Sequence, residues 1–282
     1  MFDLSWYTAE IDAIQSRHHE RVAALFAGQP VEGPLAISGA WFGSSHGLAG
    51  TDAIDMLAQP REWLADVLAE MARGGPAAAR DTRTFRPLVI DLDALGVHFV
   101  DALFGARVFF HAGQVWNEEL NLDLADLAAP DLESSPLMRQ ALELARLAVE
   151  ASQGRLLVGM PVLSCAINVG INLFGQRLLE AMARRPEEAR RALGIVNETI
   201  RQALRMFMHV IPAEIRRCSV SEDRTMPPGF GFVDGCATQL VSARHYREFL
   251  MPLDRAVLAE SPNGGMIHLC GAHAHLIPAF AA

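Results

Sequence analysis

Lysine is absent from this 282-residue chain, so all 24 basic side chains are arginine. Without an ε-amine the sequence excludes Schiff-base aldolase chemistry, pyridoxal phosphate attachment and the Walker phosphate loop, each of which needs a lysine. An arginine-for-lysine bias of a GC-rich genome accounts for the absence, and the exclusion holds whatever the cause. Positive charge is short overall. Against 33 acidic residues the chain carries a formal net charge of −9 and no basic block, which argues against nucleic acid or an anionic membrane as the main partner. A small molecule or another protein is expected instead. Cysteine is also scarce: Cys165, Cys218, Cys236 and Cys270 lie far apart, unlike the dense framework of a small secreted disulfide protein. They are expected as reduced thiols or metal ligands. Long apolar runs are missing too, since stretches such as Leu156–Leu163 are broken by Gly, Pro or polar residues well short of the ~20 needed to cross a bilayer. Met1–Glu10 carries Asp3 and Glu10 and no basic cluster before an apolar stretch, which is not a secretory signal. A cytoplasmic protein is expected.

What is present is enough for one large core: 51% of the residues are hydrophobic, and we read 1–282 as a single domain. Ile11, Ile14, Val22, Leu25 and Phe26 predict an amphipathic helix from about Thr8 to Ala27. Pro34–Gly39 reads as a buried strand, followed by a Gly/Ser-rich loop over Trp41–Gly50. A helix is expected from Pro60 to about Ala72, ended by Gly74, Gly75 and Pro76. Phe85–His111 mixes short strands without a clear count. Ser134, Ser135 and Pro136 mark a helix start, and that helix reaches Ser152. Leu156–Pro161 reads as a strand running into a small-residue loop over Ser164–Gly170. A second proline-started helix opens at Pro186, with Glu187 and Glu188 in its first turn and Leu193, Val196, Ile200, Ala203, Leu204 and Phe207 at helical spacing. Arg217–Val220 and Gly231–Asp234 are strand candidates, Ala243–Glu260 a helix, and Gly265–Cys270 the last strand. Alternating strands and helices favour an α/β fold with a parallel sheet.

The chemistry concentrates at that last strand. Residues two apart in a strand share a face, so His268 and Cys270 are expected to project together. An imidazole beside a thiol makes half of a zinc site. A His-x-Cys pair is by itself a weak motif, because both residues are more often simply buried or hydrogen-bonded. Asp234 and Cys236, with Gln239, follow a strand candidate and are expected as ligands or substrate contacts, although a free cysteine is more often core. Cys165 holds a similar position after Leu156–Pro161. His273 and His275 repeat the two-residue spacing, but fall where a loop or helix begins. Glu118 and Glu119 are conceivable ligands better placed in a solvated loop, and Tyr246 and Phe249 are expected to pack.

Four stretches, Arg21–Pro30, Phe232–Gly235, Leu240–Pro252 and Ile267–Gly271, resemble the uroporphyrinogen decarboxylase superfamily, loosely in the first half of the chain and more specifically after about Gly231. The resemblance implies a (β/α)₈ TIM barrel with its active site at the C-terminal ends of the strands. It implies an incomplete barrel, with about five of the eight strands present. The decarboxylases of this family carry a Met-Arg-Gln-Ala-Gly-Arg motif after the first strand, where this sequence has Ser38–Ser45 and no arginine. The chain is closer to the branch of zinc-dependent, cobalamin-linked methyltransferases, whose His-x-Cys motif matches His268 and Cys270. That branch implies zinc as cofactor, a corrinoid as methyl donor on a partner protein and a small thiol as acceptor. It also implies that the third ligand lies beyond Ala282. Decarboxylation of a tetrapyrrole in porphyrin biosynthesis, and an inactive fragment or assembly remnant, are the alternatives.

Overall fold

The computed structural model describes residues 2–33, 36–37, 56–79, 84–85, 87–92, 96–111, 114–220 and 224–280. In chain order the regular elements are α1 (Ala9–Phe26), β1 (Ala36–Ile37), α2 (Pro60–Ala79), β2 (Thr84–Phe85), β3 (Val89–Asp91), α3 (Phe99–Leu103), β4 (Val108–His111), β5 (Gln114–Asn117) and α4 (Pro136–Ser152). Then come β6 (Leu157–Met160), α5 (Ala166–Phe174), α6 (Gln176–Arg184), α7 (Pro186–Val210), β7 (Arg216–Val220), β8 (Arg224–Thr225) and β9 (Gly231–Asp234). The series closes with α8 (Ala243–His245), α9 (Met251–Leu258), β10 (Gly265–His268) and α10 (Ile277–Phe280). The strand expected at Pro34–Gly39 is described only as β1, and the loop expected at Trp41–Gly50 lies outside the described residues, as does Ser38–Ser45.

The chain forms two compact units. The first comprises Met1–Ala94, Gln140–Pro161 and Phe207–Phe230. Its sheet has the order β3-β6-β7-β8, parallel across the first three strands and antiparallel between β7 and β8. Ile90 opposes Val158, and both are fully buried. Strand β6 is apolar throughout and three of its four residues are buried, as in parallel sheets whose faces are covered. Helix α1 starts at Thr8, whose side chain accepts from the backbone N–H of Ile11, and it buries Ile11, Gln15, His18 and Val22 along one face. Buried Gln15 is satisfied by accepting from the Leu88 N–H at 3.2 Å. At the C-terminal end of α7, Arg216 donates to the carbonyls of Met208 and Ile211, which have no intrahelical partners.

The second unit comprises Leu95–Arg139, Val162–Met206 and Gly231–Ala282. Its strands are the antiparallel hairpin β4–β5 and the parallel pair β9–β10. Phe99, Val169, Leu173, Phe174 and Leu178 form its interior with Leu193, Val196 and Ile200 of α7. Arg177 ties the loop after β5 down by donating to the carbonyls of Leu120 and Leu122. Among the described residues no helix is long and apolar enough to cross a membrane.

Four expectations change. Helix α2 does not end at Gly74–Pro76 but runs on to Ala79. The three alanines after Pro76 are the strongest helix formers, and they continue the helix despite the N–H that Pro76 lacks. Ser164–Gly170 is not a loop: α5 opens at Ala166, because Ile167 and Val169 and, in the next turn, Leu173 and Phe174 bury one face of the helix. The helix expected over Ala243–Glu260 is interrupted by a π-helical segment, Tyr246–Leu250, and ends at Leu258. The last strand stops at His268, so Cys270 lies just outside it.

Candidate metal centre

Strands β9 and β10 run parallel in a register that sets Gly231 against Gly265 and Asp234 against His268. On the other side of β9, Asp234 forms a parallel bridge with Ser164, its carbonyl accepting from the Cys165 N–H at 2.8 Å. The register carries one step past the strands, where the Gly235 N–H donates to the His268 carbonyl at 2.8 Å. Gly235 has to lack a side chain, since a Cβ there would lie 2.5 Å from Ile267 Cγ2. The chain then turns into a short 3₁₀ segment, Cys236–Leu240, held by the Ala237 N–H donating to Asn168 Oδ1 at 2.7 Å and by Thr238 Oγ1 donating to the Gly235 carbonyl. After β10 the chain leaves through Gly271 at φ +89°, a left-handed conformation that suits glycine.

Two neighbouring strand ends thus deliver three donors to one place. The ligating atoms of Cys236, His268 and Cys270 all lie within 4.8 Å of one another. His268 Nε2 and Cys270 Sγ are 2.9 Å apart. Cys236 and His268 are half-buried and Cys270 is exposed, so the cluster has a protein side and a solvent side. Burial, and next the hydrogen bond with Cys270, push the Cys236 thiol up to about 11. The Asp234 carboxyl is raised by burial, an effect opposed by the charge of His268. A set of one nitrogen and two sulfurs is the donor chemistry zinc prefers. Zinc–ligand bonds of about 2.0–2.3 Å hold tetrahedral ligand atoms roughly 3.5–4 Å apart, which lies between the 2.9 Å of the His268–Cys270 pair and the 4.8 Å that bounds the group.

The other sequence candidates stay outside this group. Cys165 precedes α5 in a fully buried position, with Sγ 3.7 Å from Asn168 Oδ1, and burial pushes its thiol well above the ordinary range. Glu118 pairs with Arg107, and Glu119 lies 3.5 Å from Arg177, both at the surface. His275 Nε2 is 2.9 Å from the Val241 carbonyl, and His273 is buried with neither ring nitrogen hydrogen-bonded among the described residues. Tyr246 and Phe249 are buried, as expected of packing residues.

A second polar cluster in the same unit was not legible in the sequence. His98 Nδ1 lies 2.7 Å from Oδ2 of the fully buried Asp101, and Asn172 Nδ2 donates to the same oxygen at 2.7 Å. Burial raises the Asp101 carboxyl against the lowering effect of His98. The His98-x-x-Asp101 spacing, three apart at the start of a helix, was the one available signal.

Fold and site together define a class: an α/β chain with parallel strands and a Cys-His-Cys corner that could hold a metal at the ends of two of them. No family model and no curated protein matches the sequence. Among solved structures, the fold is similar to that of a methyltransferase from Methanosarcina mazei, with a TM-score of 0.62 over 90% of this chain and 70% of that one, at 15% identity.

Proposed function

We propose that this chain is a methyltransferase-like protein of the uroporphyrinogen decarboxylase type, moving a methyl group from a corrinoid on a partner protein to a small thiol. The reading takes residues 1–282 as one domain of a (β/α)₈ barrel. The observation that carries it is the convergence of Cys236, His268 and Cys270 at the ends of β9 and β10, where barrel enzymes place their chemistry. The similarity in fold to the Methanosarcina methyltransferase supports it.

Zinc, when bound, supplies a Lewis acid that holds an acceptor thiol as its thiolate near neutral pH. The chain's own residues do the rest. Cys236 and Cys270 must each lose a proton to become ligands, so metal binding weakens as pH falls. His268 offers a ring nitrogen, and Asp234, its registered neighbour, is buried beside it. Three protein ligands leave one position for the acceptor, which is the pattern of catalytic rather than structural zinc. The exposure of Cys270 keeps the solvent side accessible.

Metal content of the purified chain tests this reading. About one zinc per chain is expected, falling at least about tenfold in His268→Ala and in Cys236→Ala. Methylcobalamin with a small thiol should then lose its methyl group only in the presence of the zinc-loaded wild type, read from the visible spectrum. Less than about a tenth of an equivalent of zinc, unchanged by His268→Ala, overturns the proposal.

A further inference from the structure

We propose that Cys236 and Cys270 are also a covalent modification site: a thiol pair that a peroxide closes into a disulfide, displacing whatever metal the pair holds. The metal half of this inference rests on the function proposed above. The disulfide half stands on the geometry of the two thiols alone.

Both Sγ atoms belong to a group of ligand atoms lying within 4.8 Å of one another. Each cysteine sits two residues beyond the registered pair Asp234 and His268, and a side-chain hydrogen bond joins the two thiols, the proximity that disulfide formation requires. Neither cysteine is fixed within a strand: Cys236 opens a 3₁₀ segment behind Gly235, and Cys270 precedes Gly271. The exposures assign the order of events. Cys270 is exposed and meets the oxidant, whereas half-buried Cys236 resolves. The remaining cysteines, Cys165 and Cys218, are buried at 1% and 9% exposure and offer an oxidant no comparable access.

The chemistry balances without any group the chain lacks, given a peroxide. The Cys270 sulfur attacks one peroxide oxygen, the O–O bond breaks and a sulfenic acid forms. The Cys236 sulfur then attacks the Cys270 sulfur, the S–O bond breaks and the S–S bond forms. Two sulfurs are oxidised by one electron each, the peroxide is reduced by two, and the thiol protons leave with its oxygens as two waters. A disulfide sulfur is a poor zinc ligand, so oxidation leaves His268 as the one remaining donor of the three.

The test treats the zinc-loaded and the metal-free chain with hydrogen peroxide. It reads zinc release, the free-thiol count and the peptides linked in a non-reducing digest. The expected result is a fall from four thiols to two, a Cys236–Cys270 linked peptide in both samples, about one equivalent of zinc released, and reversal by dithiothreitol. In Cys236→Ser no linked peptide forms and Cys270 proceeds to sulfinic acid. A wild type that holds its zinc and four thiols, that over-oxidises Cys270 without linkage, or that links a different pair overturns the inference and leaves the zinc reading intact. A chain that binds no zinc but forms the linked peptide overturns the zinc reading and leaves the disulfide standing.

Discussion

Strands β6 and β10 are each four residues long and each pairs in parallel, yet they are put to opposite uses. β6 is flanked by β3 and β7, and three of its four residues are buried. β10 pairs only with β9 among the described residues, and none of its four residues is buried. A strand whose side chains are buried on the sheet's faces commits them to the core, and a change there is paid in stability. A strand with half-exposed side chains contributes little to the core, and the Cys-His-Cys group that could hold a metal lies at its end.

The largest effect that could break this contrast is a core truncation. Ile90→Ala empties a fully buried position opposite Val158 and should cost about 2–5 kcal/mol in urea unfolding. It should leave the metal stoichiometry of the folded fraction unchanged. The corresponding truncation Ile267→Ala, in half-buried β10, should cost about 1 kcal/mol. Equal losses at the two sites would remove the distinction between a structural and a functional strand.

Next in size is a pH effect on the helix that follows β9. Asp254 is 3% exposed and accepts from the Tyr246 hydroxyl at 3.0 Å, and burial raises its carboxyl to about 7. The folded state therefore holds a proton that the unfolded state releases near pH 4. Between those values the native state binds more protons than the unfolded chain, so stability falls as pH rises from about 4 to 7. Asp254→Asn keeps an acceptor for Tyr246 and removes the charge. It should flatten this slope and raise stability at pH 8 by on the order of 2 kcal/mol. An unchanged slope in urea titrations between pH 5 and 8 would show that Asp254 is ionised throughout.

These contrasts also mark what the sequence could reveal. Helix starts were legible where a side chain or ring acts locally: Thr8 caps α1, Pro136 and Pro186 open α4 and α7, and the six apolar positions foreseen from Leu193 to Phe207 are all buried. The strand Gly231–Asp234 was legible for the same reason, as a short apolar run between breakers. Local signals failed where neighbours decide. The glycines at 74 and 75 predicted an end that the following alanines override, and Ser164–Gly170 read as a loop because its helix is stabilised by burial of the next turn. At the site, His268 and Cys270 were legible as a pair two residues apart. Cys236 was foreseen with Asp234 as a ligand or substrate contact, and its approach to His268 and Cys270 depends on the β9–β10 register, which no local signal encodes. The third ligand had been expected beyond Ala282, yet the geometry supplies a third donor from within the chain.

The smallest expected effect sharpens the comparison most, because it asks whether the open strand end is built for stability at all. Cys270 is exposed, with Sγ 2.9 Å from His268 Nε2, so Cys270→Ser in metal-free protein removes no buried surface and should alter unfolding by less than about 0.5 kcal/mol. The difference should appear only with metal. Zinc at about 100 times its dissociation constant should stabilise the wild type by about 2.7 kcal/mol through mass action, and the variant by far less. Paired urea melts with chelator and with zinc separate the two contributions. A loss in Cys270→Ser that persists in chelator would place this residue with Ile90 in the structural class; a loss confined to zinc-containing samples assigns the end of β10 to ligand binding.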